Sequence, residues 1–230
     1  MTVEVYWLSA REDAAPRDHR WLSAREMAVV ERTHIPKRRA DWLLGRWTAK
    51  RAVAARLGLA ADAGALAAIE LWPAPSGAPM PFCRGVRAGL ALSLSHSHGI
   101  GFCAVSRCGA ALGCDVERVT PHSEAFLRDY FAEEERQAVG LSAPAERMKT
   151  ATLLWSAKES TLKALERGLR CDPRTIRVNC GRETEGERSG WRRLTTSEPG
   201  GRRFEGWWRE TRDFLWTVVE DPAPQAPAAL

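Results

Sequence analysis

The stretch Trp155-Ser156-Ala157-Lys158-Glu159-Ser160-Thr161-Leu162-Lys163-Ala164-Leu165 reads as the heart of a helix spanning about residues 145–167. At about 100° per residue, Leu154, Trp155, Leu162 and Leu165 fall on one arc, and Lys158 projects from the middle of it. A lysine inside an apolar arc needs a buried partner, because an unpaired charge is costly to remove from water. Glu159 and Lys163, four apart on the flank of the same arc, suit a helix-supporting ion pair. The same spacing also suits two groups presented together to a site.

Upstream, Gly113-Cys114-Asp115-Val116-Glu117 alternates acids with apolar residues in a strand pattern over 111–119, so both carboxylates face one side. Two same-face acids repel unless water, a base or a cation lies between them, and such oxygen ligands suit magnesium. A helical acid such as Glu159 would complete the set; the plain alternative is a solvated strand face. Further upstream, Ser93-Leu94-Ser95-His96-Ser97-His98-Gly99 brings hydroxyl and imidazole donors to the turn after a strand, which suits a phosphate or an ordinary turn. No GxSxG elbow surrounds these serines, so a hydrolase triad is poorly supported.

Between Arg32 and Arg56 there are eight Lys and Arg residues and a single acid, Asp41. On a helix over 36–57 that ends at Gly58, Arg39, Arg46 and Lys50 share a row with Leu43 and Leu57 and point partly inward. Arginine forks suit phosphate oxygens, although their stems also cover apolar surface without any ligand. The absence of GxxxxGK[ST] and GxGxxG weighs against nucleoside-triphosphate and dinucleotide readings.

The remaining pattern predicts a strand from Val3, Val5 and Trp7, a loop over 73–89, and strands over 90–95 and 100–106. Helices follow over 123–140 and 145–167, then strands over 175–179, 203–209 and 214–220. This order implies an α+β fold with a division near residue 110, and the Pro- and Ala-rich close at 221–230 reads as a flexible tail. At 230 residues and 44% hydrophobic content the chain can bury a sizeable core. Its charged opening residues lack the apolar run of a signal peptide or membrane span, so a cytoplasmic protein is expected. Six dispersed cysteines without a CxxC pair argue against a zinc site or disulfide framework. A net charge of +5 is compatible with nucleic acid, an anionic small molecule or an acidic protein partner.

Taken together and in order, Ser93-Leu94-Ser95-His96-Ser97, Gly113-Cys114-Asp115-Val116-Glu117 and Trp155 through Ala164 resemble the 4'-phosphopantetheinyl transferase family, specifically its long, two-lobed type that activates peptide and polyketide synthetases. Glu31-Arg32 through Trp42-Leu43-Leu44-Gly45-Arg46 is similar to the family's basic N-terminal stretch. The resemblance implies two similar α+β lobes in a pseudo-twofold arrangement, 1–109 and 110–220, with coenzyme A and magnesium in the cleft between them. It implies Asp115, Glu117 and Glu159 on the metal, and Lys158 and Lys163 at the pyrophosphate or the reacting groups. Ser95 and His96 would meet the nucleotide phosphate, with Arg32, Arg39 and Arg46 as helpers. Glu159, or Glu135 in Phe131-Ala132-Glu133-Glu134-Glu135, would take the proton of the carrier serine.

The expected activity is transfer of phosphopantetheine from coenzyme A to an apo acyl or peptidyl carrier protein by a monomer, with no nucleic acid or membrane partner. The alternatives are another coenzyme A-dependent acyltransferase, which leaves the three acids unexplained, and a basic nucleic-acid-binding module, which lacks interleaved aromatics and a binding motif. Two departures stand out. Many relatives carry a lysine between glycine and proline where this chain has Gly77-Ala78-Pro79, with Arg84 as a nearby substitute charge. Cys114 stands where a bulkier aliphatic is usual, and it alternates away from the acids as a core residue would.

Overall fold

The structure is a computed structural model that describes residues 4–180, 190–221 and 225–230. In chain order its elements are β1 (Tyr6–Arg11), α1 (Ala24–Arg32), α2 (Pro36–Arg56), α3 (Ala63–Ala67), β2 (Ile69–Pro73), β3 (Pro79–Cys83), β4 (Val86–Arg87), β5 (Leu90–Ser97) and β6 (Ile100–Arg107). There follow β7 (Ala111–Arg118), α4 (Glu124–Tyr130), α5 (Glu133–Leu141), α6 (Arg147–Ala164), β8 (Arg177–Cys180), β9 (Arg192–Ser197), β10 (Arg203–Thr211), β11 (Phe214–Asp221) and β12 (Ala228–Ala229). The fold is mixed α+β. Its strands form sheets ordered β12-β1-β6-β5, β7-β11-β10-β9-β8 and β2-β3-β4, antiparallel except for β1 with β12.

The two larger sheets stack face to face between two helices, and the alternation of side chains along each strand builds the layers. On β1 and β6, Leu8, Ala10, Cys103 and Val105 pack under α2 with Leu44, Trp47 and Val53. The opposite faces carry Val5, Phe102 and Ala104 into an inner layer with Leu112, Cys114, Val116, Trp216 and Val218 of β7 and β11. The far face of the second sheet sends Leu215, Val219 and Phe204 onto Leu153, Ala157 and Ala164 of α6. Sheet one is therefore buried on both faces, and the single buried face expected of the first strand is doubled: Val5 and Leu8 of opposite parity are both inside. Val3 lies outside the described residues.

Each long helix reaches its sheet through a glycine. A Cβ at Gly101 would stand 2.4 Å from Thr48 Oγ1 on α2, and one at Gly113 would stand 1.7 Å from the Ser160 carbonyl oxygen on α6. No side chain fits at the second position, because the obstacle is backbone.

Several expectations are corrected. The 73–89 segment is not a loop throughout: it carries β3 and β4, and β4 covers only Phe82 and Cys83, which leaves Pro79 and Pro81 beside a mostly open edge where prolines are tolerated. The helix expected over 123–140 breaks at Phe131, which turns extended and buries its ring, and α5 restarts as Glu135 Oε2 accepts the Ala132 amide at 2.9 Å. The closing residues are not wholly a free tail: Ala228 and Leu230 donate to the carbonyls of Val5 and Trp7 and add β12 to the first sheet. No described helix is long and apolar enough to cross a membrane, and all six cysteines are unpaired.

Glu220 is fully buried in the inner layer, with neither carboxylate oxygen hydrogen-bonded among the described residues. Burial pushes its carboxyl up to about 7, against the smaller opposing influence of Ser106 and Arg107. A raised carboxyl pKa means that folding is unopposed at this site below the unfolded value near 4.5 and loses stability as pH climbs toward 7. Glu220→Gln should therefore raise the thermal midpoint at pH 8 and leave it unchanged near pH 4, as read by calorimetry at both pH values. Gly113→Ala should lower stability in urea by about 3 kcal/mol or more. Gly140→Ala, in open space on α5, should be neutral or slightly stabilising.

Candidate active site

The site lies where β5 of one sheet runs beside β7 of the other in the same direction. No backbone ladder joins these strands; three alternate serines of β5 reach across instead. Ser93 Oγ accepts the Cys114 amide at 2.9 Å, Ser95 Oγ donates to Asp115 Oδ1 at 2.7 Å, and Ser97 Oγ donates to Glu117 Oε2 at 3.0 Å. Asp115 and Glu117 share the face of β7 that looks toward α6. From that helix Lys163 Nζ reaches Asp115 Oδ1 at 2.8 Å and the Cys114 carbonyl at 3.0 Å, and Trp155 Nε1 donates to Glu117 Oε1 at 3.3 Å.

The cluster is electrostatically tense. Burial, with the neighbouring Asp115 charge added, pushes the Glu117 carboxyl up to about 7, while Ser97, Lys163 and Trp155 oppose the shift. Burial and then Asp115 also raise Glu159, with Lys163 opposing. Burial works against the Lys163 ammonium, but Asp115 and its neighbours outweigh it and hold its pKa above the usual value. Lys163 thus stays charged. Asp115 Oδ2 is buried with no hydrogen-bond partner among the described residues.

An orphaned carboxylate oxygen beside a second carboxylate is the donor set a hard cation takes, and magnesium needs only one or two carboxylates when water and phosphate fill the rest. The residues fit that description through Asp115 and Glu117. No group of three His, Cys, Asp or Glu side chains among the described residues is arranged to hold a metal ion, so the set of Asp115, Glu117 and Glu159 is not pre-assembled as three ligands.

A cleft of about 740 Å³ opens beside this cluster, walled by the start of β5, the turn between β2 and β3, the start of β7 and the end of α6. Its volume is within the range of small-molecule sites. Arg46, Arg87, Lys163 and Arg202 line it against one acid, Glu166. At its mouth Ser76 Oγ donates to Glu166 Oε2 at 2.7 Å, tying the turn to the end of α6.

The structure does not bring every expected residue here. Lys158 is fully buried and faces away: its ammonium is 2.7 Å from the carbonyls of Pro173 and Ile176 and 2.8 Å from Glu135 Oε2. Its three protons are committed, which supplies the buried partner its position demands and leaves none for a phosphate. Glu135 does not line the cleft: its Oε2 takes both the Lys158 ammonium and the Ala132 amide, and its Oε1 is buried with no hydrogen-bond partner among the described residues. His96 stands exposed on the opposite face of β5 from the serines, with Nδ1 3.9 Å from Asp41 Oδ1. Arg32 and Arg39 are exposed on α1 and α2 and do not line the cleft.

Ala78 does line the cleft, whereas Arg84 sits exposed in the β3–β4 turn with φ 51° and does not. The charge arrives instead from Arg87 and from Arg202, whose Nε pairs with Asp221 Oδ2 at 2.9 Å. Neither had a signal in the sequence beyond being basic. Cys114 packs in the inner layer, and burial raises its thiol to about 11, as suits an inert core residue.

Residues 111–220 match the family model described as the 4'-phosphopantetheinyl transferase superfamily. The match takes in β7 and α6 with Asp115, Glu117, Glu159 and Lys163, and leaves the serines of β5 and the basic helix outside it. No curated protein matches the chain. Among solved structures, the chain is similar to a holo-ACP-synthase from Plasmodium yoelii, at 16% identity over 46% of this chain and 94% of that one, with a TM-score of 0.37. A likeness at that level supports no conclusion about fold or activity.

Lys158→Met leaves a buried carboxylate without its cation and should destabilise the protein by about 3–5 kcal/mol, and adding Glu135→Gln should recover most of the loss in urea unfolding. A Lys158→Met protein of full stability that had lost its affinity for coenzyme A would instead return this lysine to a phosphate-binding role.

Proposed function

We propose that the protein transfers the 4'-phosphopantetheine arm of coenzyme A to a serine of an apo acyl or peptidyl carrier protein and releases 3',5'-adenosine bisphosphate. The observation that carries this reading is the Lys163–Asp115 contact, with Glu117 beside it, at the edge of a cleft lined by four cations and a single acid. The family model over residues 111–220 supports it independently.

The carrier serine oxygen attacks the pantetheine-side phosphorus, a phosphorus–oxygen bond forms there, and the bond to the leaving adenosine bisphosphate breaks. Negative charge grows on the leaving phosphate, and fixed cations aimed at growing charge lower the barrier. Lys163 supplies one, held in place by Asp115 and the Cys114 carbonyl. Glu159 takes the serine proton; half-buried and raised by its surroundings, it is better matched to a base near neutral pH than an ordinary glutamate. Asp115 and Glu117, with Glu159 nearby, would hold magnesium, which when bound neutralises phosphate charge and orients the reacting groups. Arg46, Arg87 and Arg202 bind the nucleotide end. In this reading the two α+β halves are lobes in a pseudo-twofold arrangement of the long family type, and the protein acts as a cytoplasmic monomer.

The test is the rate of adenosine bisphosphate release with coenzyme A, magnesium and an apo carrier. Lys163→Ala and Asp115→Asn should each lower kcat by about 10²–10³-fold while the proteins stay folded. Release that persisted at the native rate in both variants would exclude this chemistry.

A further inference from the structure

Resting on the coenzyme A reading above, we propose that Lys50, which the substrate cannot touch, is a positioning residue that keeps Arg46 open to phosphate by occupying the carboxylate that would otherwise neutralise it. Arg46 and Lys50 are one turn apart on α2 and share a single close acid, Glu26 of α1. Lys50 is fully buried; its ammonium donates to Glu26 Oε2 and, at 2.9 Å, to the Trp21 carbonyl. The Ser23 amide also donates to Glu26 Oε2, at 3.1 Å, fixing the carboxylate at the start of its helix.

Arg46 is left over. Its Nε stands 3.8 Å from Glu26 Oε1, beyond hydrogen-bonding distance, and both atoms are buried without a hydrogen-bond partner among the described residues. The guanidinium packs 4.8 Å from the centre of the Trp42 ring and donates no hydrogen bond among the described residues, yet it lines the 740 Å³ cleft. A shielded guanidinium with unused donors at the wall of an open cleft is a receptor for an anion. Glu70, the other carboxylate nearby, is held by Ser23 Oγ at 2.7 Å, and its field acts on Lys50. Lys50 therefore takes up Glu26 Oε2, and Arg46 keeps its donors for the cleft.

Without Lys50, Glu26 would close on Arg46. Affinity for an anion would fall although no cation of the cleft had been removed. A purely structural role for Lys50 predicts lost stability instead, with no rescue when Glu26 is also neutralised.

The experiment is calorimetric titration of coenzyme A into the full-length protein without carrier, for wild type, Arg46→Ala, Lys50→Met, Glu26→Gln and the double variant Lys50→Met/Glu26→Gln. Lys50→Met should raise Kd by at least about tenfold, approaching Arg46→Ala, and the double variant should return to within about threefold of wild type. Glu26→Gln alone should bind at least as well as wild type, and that result is decisive if Lys50→Met fails to fold. Wild-type affinity in a folded Lys50→Met, a double variant as weak as the single one, or a tenfold loss in Glu26→Gln would overturn the inference alone. Wild type that bound no coenzyme A would overturn the functional reading and this inference with it.

Discussion

The contact on which the site depends is the backbone-close approach of α6 to β7 at Gly113. Only a residue without a side chain lets the Ser160 carbonyl come this near. The approach places Lys163, one turn further along, over the Cys114 carbonyl and Asp115. It also sets Trp155, about a turn and a half back, on Glu117. From the other side three serines of β5 fasten the same short strand. Asp115 and Glu117 are thus positioned from both sides, by β5 and by α6, and the cost of crowding carboxylates together is offset by hydroxyl, indole and ammonium donors.

The two halves of the chain solve one problem twice. In each, a short helix begins with a glutamate three residues past its cap that accepts the cap amide and a fully buried lysine of the following long helix: Glu26 with Lys50, and Glu135 with Lys158. Each lysine also donates to backbone carbonyls, Lys50 to that of Trp21 and Lys158 to those of Pro173 and Ile176. Buried pairs of this kind do little for net stability but are costly to break, which makes them suited to fixing one packing of helix on helix. The halves differ in what surrounds the pair. In the first, Arg46 stands beside the pair and lines the cleft.

Much of the second half was legible because its signals are periodic. Alternation put Asp115 and Glu117 on one face of a strand, helical spacing put Glu159 and Lys163 on one flank, and Lys158 in an apolar arc demanded a buried partner. What could not be read was the identity of that partner, since Glu135 lies in another helix and a pairing across elements leaves no period in the chain. The same holds for Arg87 and Arg202, which reach the cleft by packing alone. The β2–β4 sheet was hidden by prolines that read as loop, and β12 by a composition that cannot bury itself but can still extend an edge strand. The serines were noticed as donors to a phosphate; their role in fastening β5 to β7 depends on a neighbour that only the folded chain supplies.

The central claim, that this arrangement transfers phosphopantetheine to a carrier serine, is tested most directly by intact-mass analysis of a purified apo carrier protein after incubation with coenzyme A, magnesium and this protein. The account predicts a gain of about 340 Da, the mass of the phosphopantetheine arm, that requires magnesium and is absent with Asp115→Ala. No gain on any of several unrelated apo carriers, by protein that binds coenzyme A, would contradict it.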